Sequence, residues 1–351
     1  MANNCTPNIQ AKLNDLYSIG QAQVKAGAIE MATSAANGAQ IQAKMIQENG
    51  KNSQYSITYA LPDCDDPVAC SSFDCTGSGT NTTNLTDCLT FNSFDCYSMP
   101  AWRKIGINSL RDLGSLEVQD VFATKLFGQM QQITDKIDVA TVAAICAAGT
   151  ASPKVLKLLN NGAPNFNVDT DIQADFMDNG YAVNPLLLGN RQVLKFARSQ
   201  AASTANQNGL MLNNMYRFNA FYDKNVVEAN CAADTTGNDV VIAAVPGIVN
   251  VLSWSKNAGM FATRNSPTRW DNVDPTQLIQ AGETYMHTVI ENPANGLLFD
   301  LNMVYDPKCQ GVIYNLQSHY KIVILPLQGC KDAEFTGIIK YDICPEETIS
   351  C

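Results

Sequence analysis

The longest regular pattern of apolar positions lies in the stretch SLEVQDVFATKLFGQMQQITDKIDVATVAAICAAG. Its apolar side chains step by four, four, four, three and four residues, which puts them on one helical face: Val118, Phe122, Leu126, Met130, Ile133 and Ile137. Ser115 suits the N-cap, and Gly149 suits the residue that ends a helix. The pattern predicts a helix over 115–149, roughly 45 to 50 Å long at ~1.5 Å per residue, which is typical of a strut.

Strict alternation of apolar and polar positions predicts strands elsewhere. QYSITYALP alternates over 54–62, and two longer strands near the C-terminus flank the turn sequence DPKCQG, so we expect them to form a hairpin. The apolar positions of these two long strands are Leu297, Phe299, Leu301, Met303 and Tyr305 in the first, and Val312, Tyr314, Leu316, Tyr320, Ile322 and Ile324 in the second.

The remaining segments have weaker patterns. YAVNPLLLGNRQVLKFARSQAAS predicts a strand, a turn at Gly189 and Asn190, and then a helix, while RFNAFYDKNVV and NDVVIAAV predict strands. PGIVNVLSWSKNA predicts a short helix that Pro246 opens. Residues 8–48, rich in Ala, Gln and Ile at loose helical spacing, predict a weakly amphipathic helical arm.

A cysteine-rich segment interrupts these patterns: DCDDPVACSSFDCTGSGTNTTNLTDCLTFNSFDC. Cys64, Cys70, Cys75, Cys88 and Cys96 fall within it, and the run Ser-Phe-Asp-Cys occurs twice, at 72–75 and 93–96. The segment has too few apolar residues for a core of its own. We therefore expect a long excursion between two strands.

The spacing of these cysteines argues against two kinds of site. Structural zinc favours cysteine pairs two to four residues apart, whereas the spacers here are 5, 4, 12 and 7 residues, with no histidine nearby. A redox thiol favours positive surroundings, and four of these cysteines directly follow an aspartate, namely Asp63, Asp74, Asp87 or Asp95. Disulfides and unreactive thiols remain as the two alternatives.

Charge and composition narrow the function classes. Lys+Arg 23 against Asp+Glu 33 gives a net charge of -10, and no basic cluster exceeds the three cations of WRKIGINSLR, so we expect no sequence-specific nucleic-acid binding. Charged residues make up 16% of the chain, which predicts a polar but nearly neutral surface suited to many protein neighbours. The chain has neither a secretory signal pattern nor an apolar run of ~20 residues, so we expect folding in a reducing cytosol and no membrane span.

Candidate catalytic and metal-binding residues are few. His287 and His319 are the two histidines, both within strand-like stretches, and TGSGT at 76–80 lacks the lysine and helix of a phosphate loop. Asn167, Asp169, Asp171 and Asp178 match positions of a calcium-binding loop, but Ile172 stands where glycine is required, so we expect a solvated polar loop. The sequence therefore predicts no catalytic, cofactor-binding or metal-binding residue, and no enzyme.

The order of these elements resembles the major capsid proteins of tailed double-stranded DNA bacteriophages, the Hong Kong 97-type fold. The resemblance rests on VFATKLFGQMQQITDKIDVATVAAICAAG as a spine helix, YAVNPLLLGNRQVLKFARS as an axial-domain strand and helix, and YRFNAFYDKNVV as the next strand. It covers most of residues 1–330 in layout, without a short diagnostic motif. It implies an α+β fold with an N-terminal arm, an extended loop, a spine helix in a peripheral domain, and an axial α/β domain.

The resemblance implies six segments. These are an N-terminal arm (1–50), an extended loop (51–112) with a cysteine-rich insertion at about 63–97, a peripheral domain (113–175), an axial domain (176–290), returning long strands (291–330) and a C-terminal tail (331–351).

The resemblance also implies a function, partners and a location. Copies of the chain would form hexamers and pentamers of an icosahedral shell around the genome, with a decoration or vertex protein as a further partner, after assembly in the host cytoplasm. The five clustered cysteines, and a second set of Cys309, Cys330, Cys344 and Cys351, are then candidates for disulfides formed once lysis exposes the particle to an oxidising medium. The alternatives are an exported, disulfide-stapled surface or appendage subunit and an enzyme of unrecognised class.

Overall fold

A computed structural model describes sixteen parts of the chain. They are residues 9–19, 26–34, 37, 44–47, 54–60, 86–91, 93–106, 115–160, 163–165, 167–197, 219–227, 231, 239–255, 285–306, 311–325 and 335–344. The chain divides into two compact units. The first unit is Met1–Thr33, Phe94–Thr141 and Val251–Lys321, and the second is Ser34–Ser93, Val142–Asn250 and Ile322–Cys351.

Helices and strands together confirm the α+β class. The helices are α1 (Ile9–Ser18), α2 (Gly27–Thr33), α3 (Ser115–Ala148), α4 (Asn167–Asp178) and α5 (191–197). The strands are β1 (Lys44–Gln47), β2 (Gln54–Ala60), β3 (Thr86–Phe91), β4 (Asp95–Ser98), β5 (Arg103–Gly106), β6 (Thr150–Leu156), β7 (Leu159–Asn160), β8 (Ala163–Pro164), β9 (Leu186–Gly189), β10 (Ala220–Tyr222), β11 (Asp239–Ala244), β12 (Val249–Trp254), β13 (Tyr285–Glu291), β14 (Leu298–Asp306), β15 (Gly311–Ile324) and β16 (Ile338–Ile343).

Long strands dominate the first unit. Their sheet has the order β12-β15-β14-β13, and the short strands β4 and β5 pair with β15. Along β15, buried residues alternate with half-buried ones, because one face of the sheet carries the core. On the buried face Tyr314 packs edge-on against Phe122 of α3, with ring centroids 5.1 Å apart, and Gln129 donates a hydrogen bond to its hydroxyl.

The second unit has a five-stranded sheet in the order β10-β9-β11-β16-β6 and a three-stranded sheet β1-β2-β3. β9 and β11 are buried almost throughout, so their sequences are continuous apolar runs rather than alternating ones. Helix α4 contacts this unit's core through Phe176, which packs edge-on against Phe335 at 5.8 Å between centroids.

A glycine permits the close approach of backbone at the start of β16. Gly337 has φ of +76°, and a Cβ placed there would lie 2.0 Å from the terminal carbon of Ile248. The Ile248 side chain would have to shift to admit a Cβ, and any other residue would also be strained at this φ. The positive φ is therefore the main reason for glycine at this turn.

The structure confirms most of the predicted elements, including the strand β9 and helix α5, and the strands β10 and β11. The long helix is α3, 34 residues ending one residue before Gly149, and the C-terminal hairpin strands are β14 and β15. The strand predicted over 54–62 is β2, which pairs antiparallel with β3. The first part of the cysteine-rich segment therefore connects two paired strands. Residues 61–85 of that segment lie outside the described residues.

Two predictions were wrong. PGIVNVLSWSKNA is not a helix: Pro246 and Gly247 form a turn, and β12 follows because β-branched residues there join the β15 ladder. The stretch with the calcium-loop pattern is not a polar loop but helix α4, which buries Val168, Ile172 and Phe176 at a spacing of four.

The predicted N-terminal arm is helical only in part. Helices α1 and α2 lie within 8–48, but residues 44–47 form strand β1 instead. β1 pairs antiparallel with β2, so partner strands rather than local propensity determine its conformation.

Candidate functional site

The predicted disulfide cysteines fall into three groups. Six lie outside the described residues: Cys64, Cys70, Cys75, Cys309, Cys330 and Cys351. Cys88 lies in β3 opposite Thr58, and its side chain is not described. Cys96 in β4 is an exposed thiol, whereas Cys344 is buried and disulfide-bonded. Pairing within the cysteine-rich segment stays a prediction.

A disulfide that the sequence analysis missed joins Cys146 to Cys231. Their Cα atoms are 5.0 Å apart across 85 residues of sequence, and both residues are buried, 3% and 1% exposed. Cys146 occupies the last turns of α3 beside the buried Ile145. In the sequence, a cysteine on an apolar helix face is indistinguishable from an ordinary small core residue. The disulfide becomes evident only in the fold, where Cys231 lies next to Cys146.

The second Ser-Phe-Asp-Cys run forms the start of the short strand β4. Phe94 stacks on Trp254 with centroids 5.4 Å apart, and Tyr97 stacks on Tyr320 at the same distance. The backbone of β4 pairs with β15 from Asp95 opposite Tyr320 to Ser98 opposite Gln317. This copy of the repeat is therefore an ordered strand that pairs with β15, held by ring stacking on both sides of Cys96.

Polar and charged residues collect where β4, β15 and β14 lie side by side. Cys96 is directly opposite His319 in the β4–β15 ladder. Nε2 of His319 lies 3.7 Å from Oδ2 of Asp300, whose side chain is fully buried. The hydroxyl of Ser255 donates a hydrogen bond to Oδ1 of the same carboxylate. Sequence spacing could not find this group, because its members come from separate segments.

The same group does not have the geometry of a hydrolase triad. A serine nucleophile needs its hydroxyl hydrogen-bonded to the histidine, with the carboxylate behind the ring. Here the Ser255 hydroxyl donates to the Asp300 carboxylate instead. Ser255 is also only 6% exposed, so a substrate could not reach it.

Side-chain amides attach the N-terminal segment to downstream backbone. In the first unit, Gln10 accepts a hydrogen bond from the Glu291 amide at 2.8 Å and donates one to its carbonyl at 2.9 Å. In the second unit, Asn37 does the same between the Gly247 amide and the Val249 carbonyl. Each amide thus behaves like one residue of an added strand.

A buried carboxylate supports helix α2. Asp138 of α3 has no exposed surface and accepts a hydrogen bond from the Ile29 amide at 3.3 Å, near the N-terminal end of α2. The partial positive charge of that helix end stabilises a carboxylate there. Asp138 therefore fixes α2 against the long helix within the first unit.

A second ionic group lies in the second unit. Asp175 of α4 pairs with Lys154 of β6 and accepts a hydrogen bond from the Tyr341 hydroxyl at 3.0 Å. The hydrogen bond to Asp175 raises the pKa of Lys154. Burial, reinforced by the Asp175 charge, raises the pKa of Tyr341 above its usual value. The lysine is therefore a cation rather than a nucleophile near neutral pH.

Metal and membrane sites are the remaining kinds of candidate site. His287 lies in β13, with its side chain outside the described parts. Within the described parts of the chain, no cluster of three or more His, Cys, Asp or Glu side chains could hold a metal ion. Over the same residues, the helices are too short or too polar to cross a membrane.

Comparison with known proteins gives likenesses in structure. No protein-family model matches the chain, and no curated protein matches it in sequence. The chain is similar to the capsid asymmetric unit of Cyanophage A-1(L), with a TM-score of 0.45 and 10% identity, over 92% of this chain and 94% of that one.

Two further solved structures are similar. The asymmetric unit of the bacteriophage PhiM1 mature capsid has a TM-score of 0.42 and 9% identity over 83% of this chain and 82% of that one. A structure from Mycobacterium phage Adephagia has a TM-score of 0.43 and 12% identity over 94% of each chain.

Proposed function

We propose that this chain is the major capsid protein of a tailed double-stranded DNA phage, a subunit that assembles with copies of itself into an icosahedral shell. One observation carries the proposal: N-terminal helices, a β2–β3 pair with a long excursion, the 34-residue helix α3 and then a mixed α/β region follow one another in that order. The same order in the sequence resembles the Hong Kong 97-type fold.

The segment boundaries are part of this proposal. The arm is 1–50, the extended loop 51–112, the peripheral domain 113–175, the axial domain 176–290, the returning strands 291–330 and the tail 331–351. Helix α3 is the spine helix, and at ~1.5 Å per residue its length of about 50 Å suits a strut.

The proposed partners are copies of the same chain in hexamers and pentamers, with a decoration or vertex protein added. The protein is assembled in the host cytoplasm and then resides in the virion, and it acts as a structural protein rather than an enzyme. A charged fraction of 16% supports this role, because a shell subunit meets mostly protein neighbours.

The mass of the native assembly tests the proposal. The full chain is expressed and purified, and its mass is measured by gel filtration with light scattering, followed by negative-stain microscopy. We expect capsomers or closed shells. Filaments or sheets would instead favour the surface or appendage subunit, and a monomer or dimer at all concentrations would contradict self-assembly.

A further inference from the structure

Three chemically active side chains lie in a row across neighbouring strands of the first unit. Cys96 of β4 is opposite His319 of β15, and Asp300 of β14 is opposite Gln317, two residues from His319. Side chains two apart on a strand share a face, so Cys96, His319 and Asp300 all project from the same side of the sheet. A slip of one residue in either ladder would separate them.

The acidic end of the row favours a charged imidazole. Asp300 is fully buried at its side chain, and one of its oxygens accepts a hydrogen bond from Ser255. The other oxygen lies 3.7 Å from Nε2 of His319, which is too long for a hydrogen bond but close enough for an ion pair once the ring is protonated. A buried carboxylate is costly unless a cation accompanies it, so Asp300 stabilises the imidazolium that forms when His319 takes up a proton.

The other end of the row is an exposed thiol. Directly opposed residues of an antiparallel pair have Cβ atoms about 4.5 to 5.5 Å apart, so the Cys96 sulfur is within reach of the imidazole ring. With Nε2 on the Asp300 side, Nδ1 is the nitrogen that would take the thiol proton. An imidazolium beside a cysteine stabilises the thiolate, which is the reactive form.

Among the described residues, other charged and titratable groups also lie near Cys96. They are Asp95 and Tyr97 on β4, Tyr320 and Lys321 on β15, and Asp300 on β14. Lys321 Nζ lies 3.5 Å from the Asp95 carboxylate and opposes its charge. Tyr97 and Tyr320 stack on the opposite face, and burial raises the pKa of Tyr320, which keeps it neutral.

We propose that Cys96, His319 and Asp300 form a thiol–disulfide exchange site whose substrate is a disulfide. Cys96 and His319 react, and Asp300 is a positioning residue. The Cys96 thiolate attacks one sulfur, a new S–S bond forms, and the old S–S bond breaks. The second sulfur leaves with the bonding electron pair and takes the proton held by His319. Cys96 is oxidised as the leaving sulfur is reduced, so no further oxidant is required.

The substrate disulfide has two sources, a small molecule or a cysteine pair of a second copy. We favour the second copy, which rests on the proposed function, because shell assembly brings many copies together and the chain carries 12 cysteines. Exchange would then join neighbouring subunits covalently through an edge strand. The chemistry at Cys96 itself does not depend on shell formation.

Reactivity of Cys96 is measured on the full chain with an aromatic disulfide reagent. Labelling of the Cys96 peptide is followed against time by mass spectrometry over a range of pH. We expect half-maximal reactivity at least about one pH unit below the ~8.5 of an ordinary thiol. A midpoint at the ordinary value in the native protein would overturn the proposal, whatever the variants do.

Variants assign the roles. We expect His319→Gln to return the midpoint to the ordinary value and to slow labelling at pH 7 about tenfold, and Asp300→Asn to move the midpoint part of the way. Ser98→Ala, on the same strand and face as Cys96, is the matched control and should leave the rate unchanged. An unchanged midpoint in folded His319→Gln would remove the imidazole from the proposal.

A second measurement identifies the source of the disulfide. Chains joined by a Cys96 disulfide, detected by mass spectrometry of non-reduced protein and lost in Cys96→Ser, would support the second copy. Labelling by the small reagent without any Cys96-linked pair of chains would overturn that part. Because labelling is measured on chains in any assembly state, failure of the exchange site and failure of the capsid proposal remain distinguishable.

Discussion

The two largest sheets bury their strands in different ways. In the second unit's five-stranded sheet, β9 and β11 are apolar on both faces, and Leu188, Val241 and Ile242 have no exposed surface. In the first unit, β15 buries one face and leaves the other half-buried, with Gln317 and His319 on that second face.

The two burial patterns suit different roles: strands buried on both faces contribute to stability, and strands buried on one face can carry chemically active groups. A strand covered on both faces accepts almost no polar side chain, so its contribution comes from packing. A strand covered on one face can hold polar groups at half-burial, where charges interact strongly and reagents still reach them. The candidate reactive group lies on the second kind of strand for this reason.

Removal of the disulfide should give the largest effect. The double variant Cys146→Ala/Cys231→Ala frees a loop of 85 residues, and the chain-entropy model gives a loss of about 4 to 5 kcal/mol in the free energy of unfolding. Urea unfolding measures it, and hydrogen exchange should locate the loss in the second unit. Cys96→Ser is the control, expected within about 0.5 kcal/mol of the native protein. Equal unfolding midpoints would show that the bond does not stabilise the fold.

Truncation of one isoleucine in each sheet compares them directly. Ile242→Ala in β11 should cost about 3 to 4 kcal/mol of unfolding free energy, because a fully buried side chain leaves a cavity. Ile313→Ala, on the half-buried face of β15, should cost only about 1 kcal/mol. Urea unfolding measures both. Equal costs would break the proposed contrast between the sheets.

Alkaline pH should weaken the second unit through Tyr341. Burial and Asp175 raise its pKa in the folded state, so the unfolded chain loses this proton first, at about pH 10. The stabilisation is complete below pH 10 and falls by about 1.4 kcal/mol per pH unit above it. Tyr341→Phe should remove that part of the slope in urea unfolding measured from pH 9 to 11, with Tyr17→Phe, an exposed tyrosine, as control. An unaltered slope would refute the assignment.

The smallest effect is expected at the attachment of helix α1 in the first unit. Gln10→Ala removes two hydrogen bonds to Glu291, which are exposed and together contribute about 1 kcal/mol. Hydrogen exchange of the α1 amides should speed up about fivefold. Gln10→Glu keeps the acceptor for the Glu291 amide and should have a smaller effect. Faster exchange in β14 as well would mean that Gln10 supports the sheet and not only the helix.

Strong local periodicity in the sequence correctly predicted the long helix and the long strands. The apolar steps from Val118 to Ile137 predicted α3 nearly to its ends, and alternation predicted β14 and β15. The same rule, applied to Val168, Ile172 and Phe176, predicts helix α4, although the aspartates between them also match a calcium-binding loop. The strand conformation of β12 and β1 could not be predicted from local sequence, because it depends on pairing with β15 and β2, respectively.

The sequence by itself determined which segments bury a face and which side chains are available for chemistry, since both follow from residue type and spacing. Only the tertiary structure decided what those side chains meet. Cys96 follows an aspartate, which disfavours the thiolate, yet strand register puts His319 opposite it and Lys321 beside the aspartate. Cys146 has the sequence environment of an ordinary core residue, and only the fold brings Cys231 within bonding distance of it. Electrostatic and covalent partners depend on distance in space, which a chain specifies only once it has folded.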